Sequence, residues 1–411
     1  MIRIYPFSAL YPTSEFASQV ATRVLGSETD EEIKLYFEQN PFSFLHITQP
    51  HVHFAEPKSE NEMHFGFAKN YFNQLQEQKV LVQDEDASIY IYRQTLADGY
   101  SFTGLIAGIS AIDYLDGSVK KHEYTISEKE NYMAKHLLHT GVVAEPVLLS
   151  CPEIGLIEHW IGENLPETPL YSFKTDNGSN HTLWKVKNES AIEEICKLMK
   201  DSDSLYIADG HHRIAATTDY LAQMHNEHNW KSNQMFFMGL IIPEQELRIN
   251  SFHRLVTNIS DAEISAMLIA IQDTFDVEKI NEQTFVPKNK GEFGLCTRQG
   301  WYRLSFKYPS DYGSPSQNLD VSRLEKYIFS RVLKIHDSKA DPRLQFVRGD
   351  MPARDLETLV HAGSIDLAFL VFPNTMLEIK EVADADETMP PKSTWIKPKL
   401  LTGMIVLRFT E

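Results

Sequence analysis

Cysteine is scarce in this chain: Cys151, Cys196 and Cys296 are three in all, far apart and without a C-x-x-C spacing. That pattern excludes a disulfide framework and a zinc ribbon. No apolar run approaches the roughly 18 residues a membrane-spanning helix needs. The opening Met1-Ile2-Arg3-Ile4-Tyr5-Pro6-Phe7 has no basic region followed by an apolar stretch and a small-residue cleavage site, so a cytoplasmic, membrane-free protein is expected. Basic residues are also in deficit, 39 Lys and Arg against 57 Asp and Glu, for a net charge of −18. Such a balance repels a nucleic-acid backbone, so no nucleic-acid partner is expected. A local basic pocket for one small phosphorylated ligand stays compatible, because nearby cations dominate within a Debye length of about 10 Å. G-x-S-x-G, P-loop and G-x-G-x-x-G patterns are missing too, which removes the signatures of serine hydrolases, Walker NTPases and Rossmann enzymes.

What is present describes a folded α/β protein. At 411 residues the chain is too long for one ordinary core, and two or three interlocked subdomains are expected. Asn40 to Ile47 looks like a buried strand, and a helix follows at about 64–78. Ala87–Arg93 and Phe102–Ile109 are β-rich and flank Asp98-Gly99, a hairpin signal. Ser127 begins a capped helix to about 139. Pro146–Ser150, Leu156–Ile161 and Thr182–Val186 read as strands, Ser190–Met199 as an amphipathic helix, Ser204–Ala208 as a buried strand and His211 to about His225 as a helix. Ile214, Thr218, Leu221 and Met224 recur at helical spacing on its core face. Gln234–Ile242 is a further apolar strand. Beyond Asn250–Val256, helices at about 261–274, 320–334 and 353–361 alternate with strands at Trp301–Tyr308, Leu367–Val371 and Leu400–Phe409, and a loop is expected around 309–316.

The densest chemistry lies in Ile207-Ala208-Asp209-Gly210-His211-His212-Arg213. A strand entering a helix through glycine leaves the first helical N–H groups unpaired, and these donors with the helix dipole suit an anion. Arg213 offers a bidentate fork to phosphate, His211 and His212 add donors whose charge is adjustable near neutral pH, and Asp209 is placed to cap the helix or hold Mg²⁺. A capped helix bearing surface histidines is the plainer alternative. Met389-Pro390-Pro391-Lys392-Ser393-Thr394-Trp395-Ile396-Lys397-Pro398-Lys399 is a basic, hydroxyl-bearing patch or a solvated loop. In Lys120-Lys121-His122-Glu123-Tyr124-Thr125, Glu123 is a candidate general base or part of an exposed charged turn. His253-Arg254 at a strand end is a second candidate anion pair, or a surface salt bridge. His51/His53, His136/His139 and His225/His228 bring no third metal ligand with them.

These clusters, in this order, resemble a bacterial family known as domain of unknown function 1015. The resemblance runs from Asn40–Ile47 through Tyr90–Gln94, Lys120–Glu123 and Ala208–Arg213 to Phe252–Val256 and Met389–Thr394. The Asp-Gly-His-His-Arg turn is also similar to the phosphate-binding turn of the ParB/sulfiredoxin superfamily, which includes free-serine kinases. This second likeness is an analogy carried by a short motif. It implies an α/β fold of mixed sheets, with a ParB/sulfiredoxin-like phosphate-binding core in 151–256 between a 1–150 subdomain and an additional α/β subdomain at 257–411. Departures are present. Ile126 and Asn131-Tyr132 stand where the family carries arginines or an Asp-Arg pair, and Ile214-Ala215-Ala216-Thr217 replaces Tyr-Glu-Thr-Ala. They bear on the choice of substrate and on whether activity persists.

The function expected from these readings is a phosphotransferase acting on a small hydroxyl compound, free L-serine first, with ATP or ADP as donor and Mg²⁺ as partner. Gly210, His211, His212, Arg213, His253, Arg254, Ser393 and Thr394 would hold phosphates, Asp209 the metal, and Glu123 would take the hydroxyl proton, while Lys392 would join Ser393 and Thr394 in closing over the transferred group. Asp209, His211 and Lys392 count with Glu123 as the catalytic set. A nucleotide sensor without turnover, and a phosphatase or other hydrolase on the same anion site, are the alternatives.

Overall fold

The computed structural model describes all residues except 24–28, 55–61, 126, 229–233, 282–283, 309–312 and 410–411. Ile126, the expected side-chain cap at Ser127, the side chain of His228 and the first part of the 309–316 loop therefore lie outside the described residues. The fold is α/β with mixed sheets, and the chain divides into two units, Met1–Leu247 with Pro398–Glu411, and Arg248–Lys397.

The first unit is organised by a nine-stranded sheet. Its strands are β1 (Ile4–Tyr5), β2 (Ile89–Thr95), β3 (Ser101–Ser110), β4 (Val119–Lys120), β5 (Val147–Cys151), β6 (Tyr171–Lys174), β7 (Asn180–Val186), β8 (Leu205–Asp209) and β9 (Phe236–Pro243). The order is β4-β8-β5-β9-β3-β2-β7-β6, with β1 beside β3. Segments 1–150 and 151–256, drawn apart in the sequence, thus share one sheet. The hairpin expected at Asp98-Gly99 joins β2 to β3, and Gly99 takes the φ of +85° that its turn requires. Tyr90, Tyr92, Leu105 and Ile106 are all buried, so these strands are covered on both faces and read as apolar runs rather than alternations.

One face of the sheet is covered by α3 (Leu156–Asn164) and α4 (Glu189–Lys200), which bury Trp160, Ile192, Ile195 and Met199 against Ile91, Leu105, Leu149 and Ile207. Asn188 caps α4 by accepting from Ser190 and Ala191 N–H at 3.0 and 3.4 Å. Each fully buried Ile or Met contributes about 1.5–3 kcal/mol. Elsewhere α2 (Ser127–Thr140) and α5 (His211–His228) pack through Leu137, Tyr220, Leu221 and Met224, and α1 (Glu62–Glu77) joins Phe44, Ile47 and Val406 in a separate cluster. Ile214, Thr218, Leu221 and Met224 are all buried, as their spacing predicts.

Three expected strands are corrected. Leu156–Ile161 is helical because its apolar residues, Leu156, Ile157, Trp160 and Ile161, fall at i, i+1, i+4 and i+5. Asn40–Ile47 ends in a short helix, Leu45–Thr48; an apolar run buried on every side carries no period to separate the two states. Of Leu400–Phe409 only Leu407–Arg408 forms a strand, paired with Val142–Val143.

The second unit is a six-stranded antiparallel sheet. Its strands are β10 (Phe252–Val256), β11 (Phe275–Ile280), β12 (Glu292–Thr297), β13 (Gly300–Phe306), β14 (Leu344–Arg348) and β15 (Leu367–Val371), in the order β11-β13-β12-β15-β10-β14. Helix α6 (Ala353–His361) buries Leu356 and Val360 against it. The helix expected at 320–334 is a short α-helix, Asp320–Leu324, running into a π-helix over Glu325–Ser330.

Candidate functional site

Strand pairing assembles the site. Strand β4 runs parallel to β8, with Val119 opposite Leu205 and Lys120 opposite Tyr206. Both chains therefore leave the sheet at the same end, which places Lys121-His122-Glu123 beside Gly210-His211. On the other side β5 is antiparallel, and its start lies at that end too; a register shift between Ile207 and Asp209 sets Asp209 opposite Leu148. Such bulges re-aim a terminal side chain.

Gly210 adopts φ +102°, and the first helical bond of α5 runs from Ile214 N–H to the Gly210 carbonyl at 3.0 Å. The N–H groups of His211, His212 and Arg213 thus precede the helical ladder at the positive end of an 18-residue helix. A second requirement falls on Gly210: a Cβ there would lie 3.0 Å from Nε and Nη2 of Arg213. The guanidinium folds back beneath the turn. Its Nη1 donates to the Pro146 carbonyl at 2.6 Å and lies 3.2 Å from Glu145 Oε2, while Nη2 is 3.5 Å from Asp209 Oδ2. Arg213 is thereby a strut between β5, β8 and α5.

Lys399, in the C-terminal part of the same unit, brings its Nζ to 3.2 Å from Asp209 Oδ2. Burial pushes the Asp209 carboxyl upward, but the charges of Lys399 and Arg213, with hydrogen bonds from Lys399 and the Gly210 N–H, outweigh it and hold the group below its ordinary value. Asp209 is an ionised carboxylate facing two cations. That environment does not fit the Mg²⁺ role expected of it, since an ion would have to displace Lys399. Among the described residues, no group of three or more His, Cys, Asp or Glu is gathered to hold a metal ion.

His122 and His211 form the floor. They are 2% and 6% exposed, and their rings meet edge to face with centroids 4.6 Å apart. Nδ1 of His211 is 3.8 Å from Oε2 of Glu123, whose side chain is 48% exposed. Burial lowers the His122 pKa to about 4 against an opposing pull from Asp209. Burial also drives His211 well below its ordinary value, assisted by His122, His212, Arg213 and Lys121. The expected switchable charge at His211 is therefore corrected: its imidazole is neutral throughout the physiological range.

The structure brings Glu123, Asp209, Gly210, His211, His212 and Arg213 together and adds His122, Lys399 and Glu145. Lys399 was visible in sequence as the end of a basic cluster. His122 stood in the same motif as a neighbour of Glu123 without a role of its own, and Glu145 gave no signal, since only the antiparallel pairing of β5 carries it here.

The remaining expected residues belong to the second unit. Arg254 is fully buried and donates to the Phe252 carbonyl and, at 3.1 Å, to that of Lys392. Burial lowers its pKa to about 10, against the opposing charge of Glu325. Nδ1 of His253 accepts from Val371 N–H at 3.4 Å. Lys392 takes a left-handed φ of +55° with Nζ 5.3 Å from the Phe252 ring centre. Ser393 Oγ donates to the Pro390 carbonyl at 2.6 Å, and Thr394 is half-buried. Arg254 and Ser393 thus hold the 389–394 turn in its shape. Of the histidine pairs, His53 bonds His46 at 2.8 Å, His136 bonds the Ile47 carbonyl at 2.7 Å and His139 that of Lys135 at 2.8 Å. No helix among the described residues is long and apolar enough to cross a membrane.

An α/β protein with a charged, glycine-hinged helix start is the class that fold and site define. The chain belongs to the family described as proteins of unknown function, DUF1015, which it matches over residues 4–322. No curated protein matches it. Among solved structures it is similar to a point mutant of free serine kinase in complex with AMP, at 13% identity and a TM-score of 0.39 over 72% of this chain and 88% of that one. It is similar also to a conserved hypothetical protein from Pyrococcus furiosus, at 14% identity and TM-score 0.37 over 74% and 95%. A third is SbnI with C-terminal truncation from Staphylococcus aureus, at 12% and 0.37 over 72% and 85%.

Proposed function

We propose that the first unit carries a nucleotide-dependent phosphotransferase site at the start of α5, with a small hydroxyl compound as acceptor. The observation that carries this is the gathering of unladdered helix N–H groups, Lys399 and a half-exposed Glu123 around the residues that flank Gly210, Lys399 at Asp209 and Glu123 at His211. Phosphoryl transfer needs charge neutralisation and positioning more than covalent chemistry. The N–H donors and Lys399 neutralise phosphate oxygens. Glu123 accepts the acceptor's hydroxyl proton; the oxygen attacks the terminal phosphorus of ATP or ADP, and the bond from phosphorus to the bridging oxygen breaks, leaving its electron pair on the departing nucleotide. Arg213 and Asp209 act by position, Arg213 bracing the turn and Asp209 holding Lys399. No step is assigned to Mg²⁺. Free L-serine is named as acceptor from the resemblance of Asp-Gly-His-His-Arg to the turn of free-serine kinases. The test is a screen of ATP and ADP consumption against hydroxyl amino acids and sugars. Turnover with one acceptor supports the reading; tight nucleotide binding without turnover on any acceptor replaces it with a sensor.

A further inference from the structure

Three buried nitrogens at the start of α5 have no hydrogen-bond partner, Nδ1 and Nε2 of His122 and Nε2 of His211. Unpaired polar atoms at this depth are uncommon because each forfeits its hydration. The buried His46, in contact with the exposed His53, shows the contrast. His46 spends Nδ1 on His53 at 2.8 Å and Nε2 on the Asn40 carbonyl at 3.0 Å, so its nitrogens are engaged within the protein.

The geometry points to a divalent transition-metal site: we propose that His122 and His211 together ligate one ion of the Mn²⁺ to Zn²⁺ series, with the remaining positions open to water or a ligand oxygen. Two imidazoles bound to one ion at about 2.1 Å per nitrogen keep their ring centres roughly 4.5–5.2 Å apart for ligand angles of about 90–110°. The observed separation is 4.6 Å, with the rings at 82°. Metal binding requires unprotonated imidazole, and burial is the first cause that lowers both rings, His122 to about 4 and His211 well below its ordinary value. Glu123 Oε2 lies 3.8 Å from His211 Nδ1, the ring nitrogen away from Nε2, where a carboxylate favours the tautomer that presents Nε2 to an ion. Two fixed nitrogens fall short of a closed cage, which is the form of a site whose coordination a ligand completes. Imidazole selects borderline ions over Mg²⁺, which demands oxygen. The site stands apart from the phosphotransferase reading, since it rests on the unpaired nitrogens and the spacing of their rings.

The test uses the full chain stripped with a chelator and titrated with Co²⁺ or Zn²⁺ alone. One equivalent should bind, with visible d–d bands for Co²⁺ that excess Mg²⁺ does not remove. His122→Asn and His211→Asn should each weaken binding tenfold or more, and His53→Gln should leave it unchanged. Zn²⁺ should raise the Tm of the unmodified chain, a readout that needs no variant. Absence of Co²⁺ and Zn²⁺ binding, binding kept in both site variants, or loss only in His53→Gln each overturns the proposal. Nucleotide binding measured in EDTA fails or succeeds separately, so the two readings fall independently.

Discussion

Replacing Arg213 with alanine separates a strut from a phosphate fork. A fork facing solvent would cost the fold almost nothing on removal. Arg213 instead donates to the Pro146 carbonyl at 2.6 Å and lies near Glu145 and Asp209. Losing a hydrogen bond from a charged donor costs about 1.5–3 kcal/mol. The two part-exposed ion pairs add roughly 0–1 kcal/mol each after solvent screening. The expected loss is about 1.5–5 kcal/mol, read as a lower urea midpoint at unchanged slope. A Gly210 turn no longer backed by the guanidinium should also bind nucleotide less tightly, as a consequence of disorder at the helix start. A stability change under about 0.5 kcal/mol, the level of a neutral surface substitution, together with loss of nucleotide binding, would refute the strut and restore the fork.

Gly210→Ala should destabilise by about 1–3 kcal/mol in the same assay, because φ +102° penalises a Cβ and that Cβ meets the Arg213 guanidinium at 3.0 Å. Lys399→Met should differ from Arg213→Ala in stability: the side chain is 42% exposed, so stability should fall by less than about 1 kcal/mol, while nucleotide affinity measured by calorimetry drops by about 1.5–3 kcal/mol. Acid should unfold the chain partly through His46, whose pKa burial lowers from 6.5 to about 4, with opposing help from the Asn40 carbonyl and a lowering push from His53. The unfolded chain binds the proton more readily than the fold, so stability present above pH 6.5 is lost as pH falls from about 6.5 towards 4, by up to about 3 kcal/mol. His46→Phe should flatten that part of a pH–stability profile; an unchanged slope would assign it elsewhere.

Much of the fold was legible because period and punctuation agreed. The β2–β3 hairpin announced itself through β-branched and aromatic runs around Asp98-Gly99, and α5 through a core stripe from Ile214 to Met224. Leu156–Ile161 misled because its apolar residues form two adjacent pairs, which a short window reads as a continuous run. The strands Phe275–Ile280, Glu292–Thr297 and Leu344–Arg348 escaped notice: the first and last carry charged residues on an exposed face and little apolar contrast. At the site, the Asp-Gly-His-His-Arg turn was conspicuous because polar residues crowd directly after a buried strand. The partners of that turn were not. Glu145 and Pro146 reach Arg213 by an antiparallel pairing, and Lys399 reaches Asp209 across about 190 positions of chain, distances over which a helical or strand period says nothing. Nor does a sequence state depth, so the neutrality of His211 emerged only with its burial.

The most direct test of the phosphotransferase site follows nucleotide and acceptor together by phosphorus NMR, comparing the unmodified chain with Glu123→Gln. Glu123→Gln preserves size and hydrogen bonding and removes the base. The account predicts a phosphorylated hydroxyl product from the unmodified chain, turnover lower by roughly 10²–10⁴-fold in the variant, and nucleotide affinity nearly equal in both. Nucleotide bound by the unmodified chain with no phosphorylated product from any hydroxyl acceptor would contradict it.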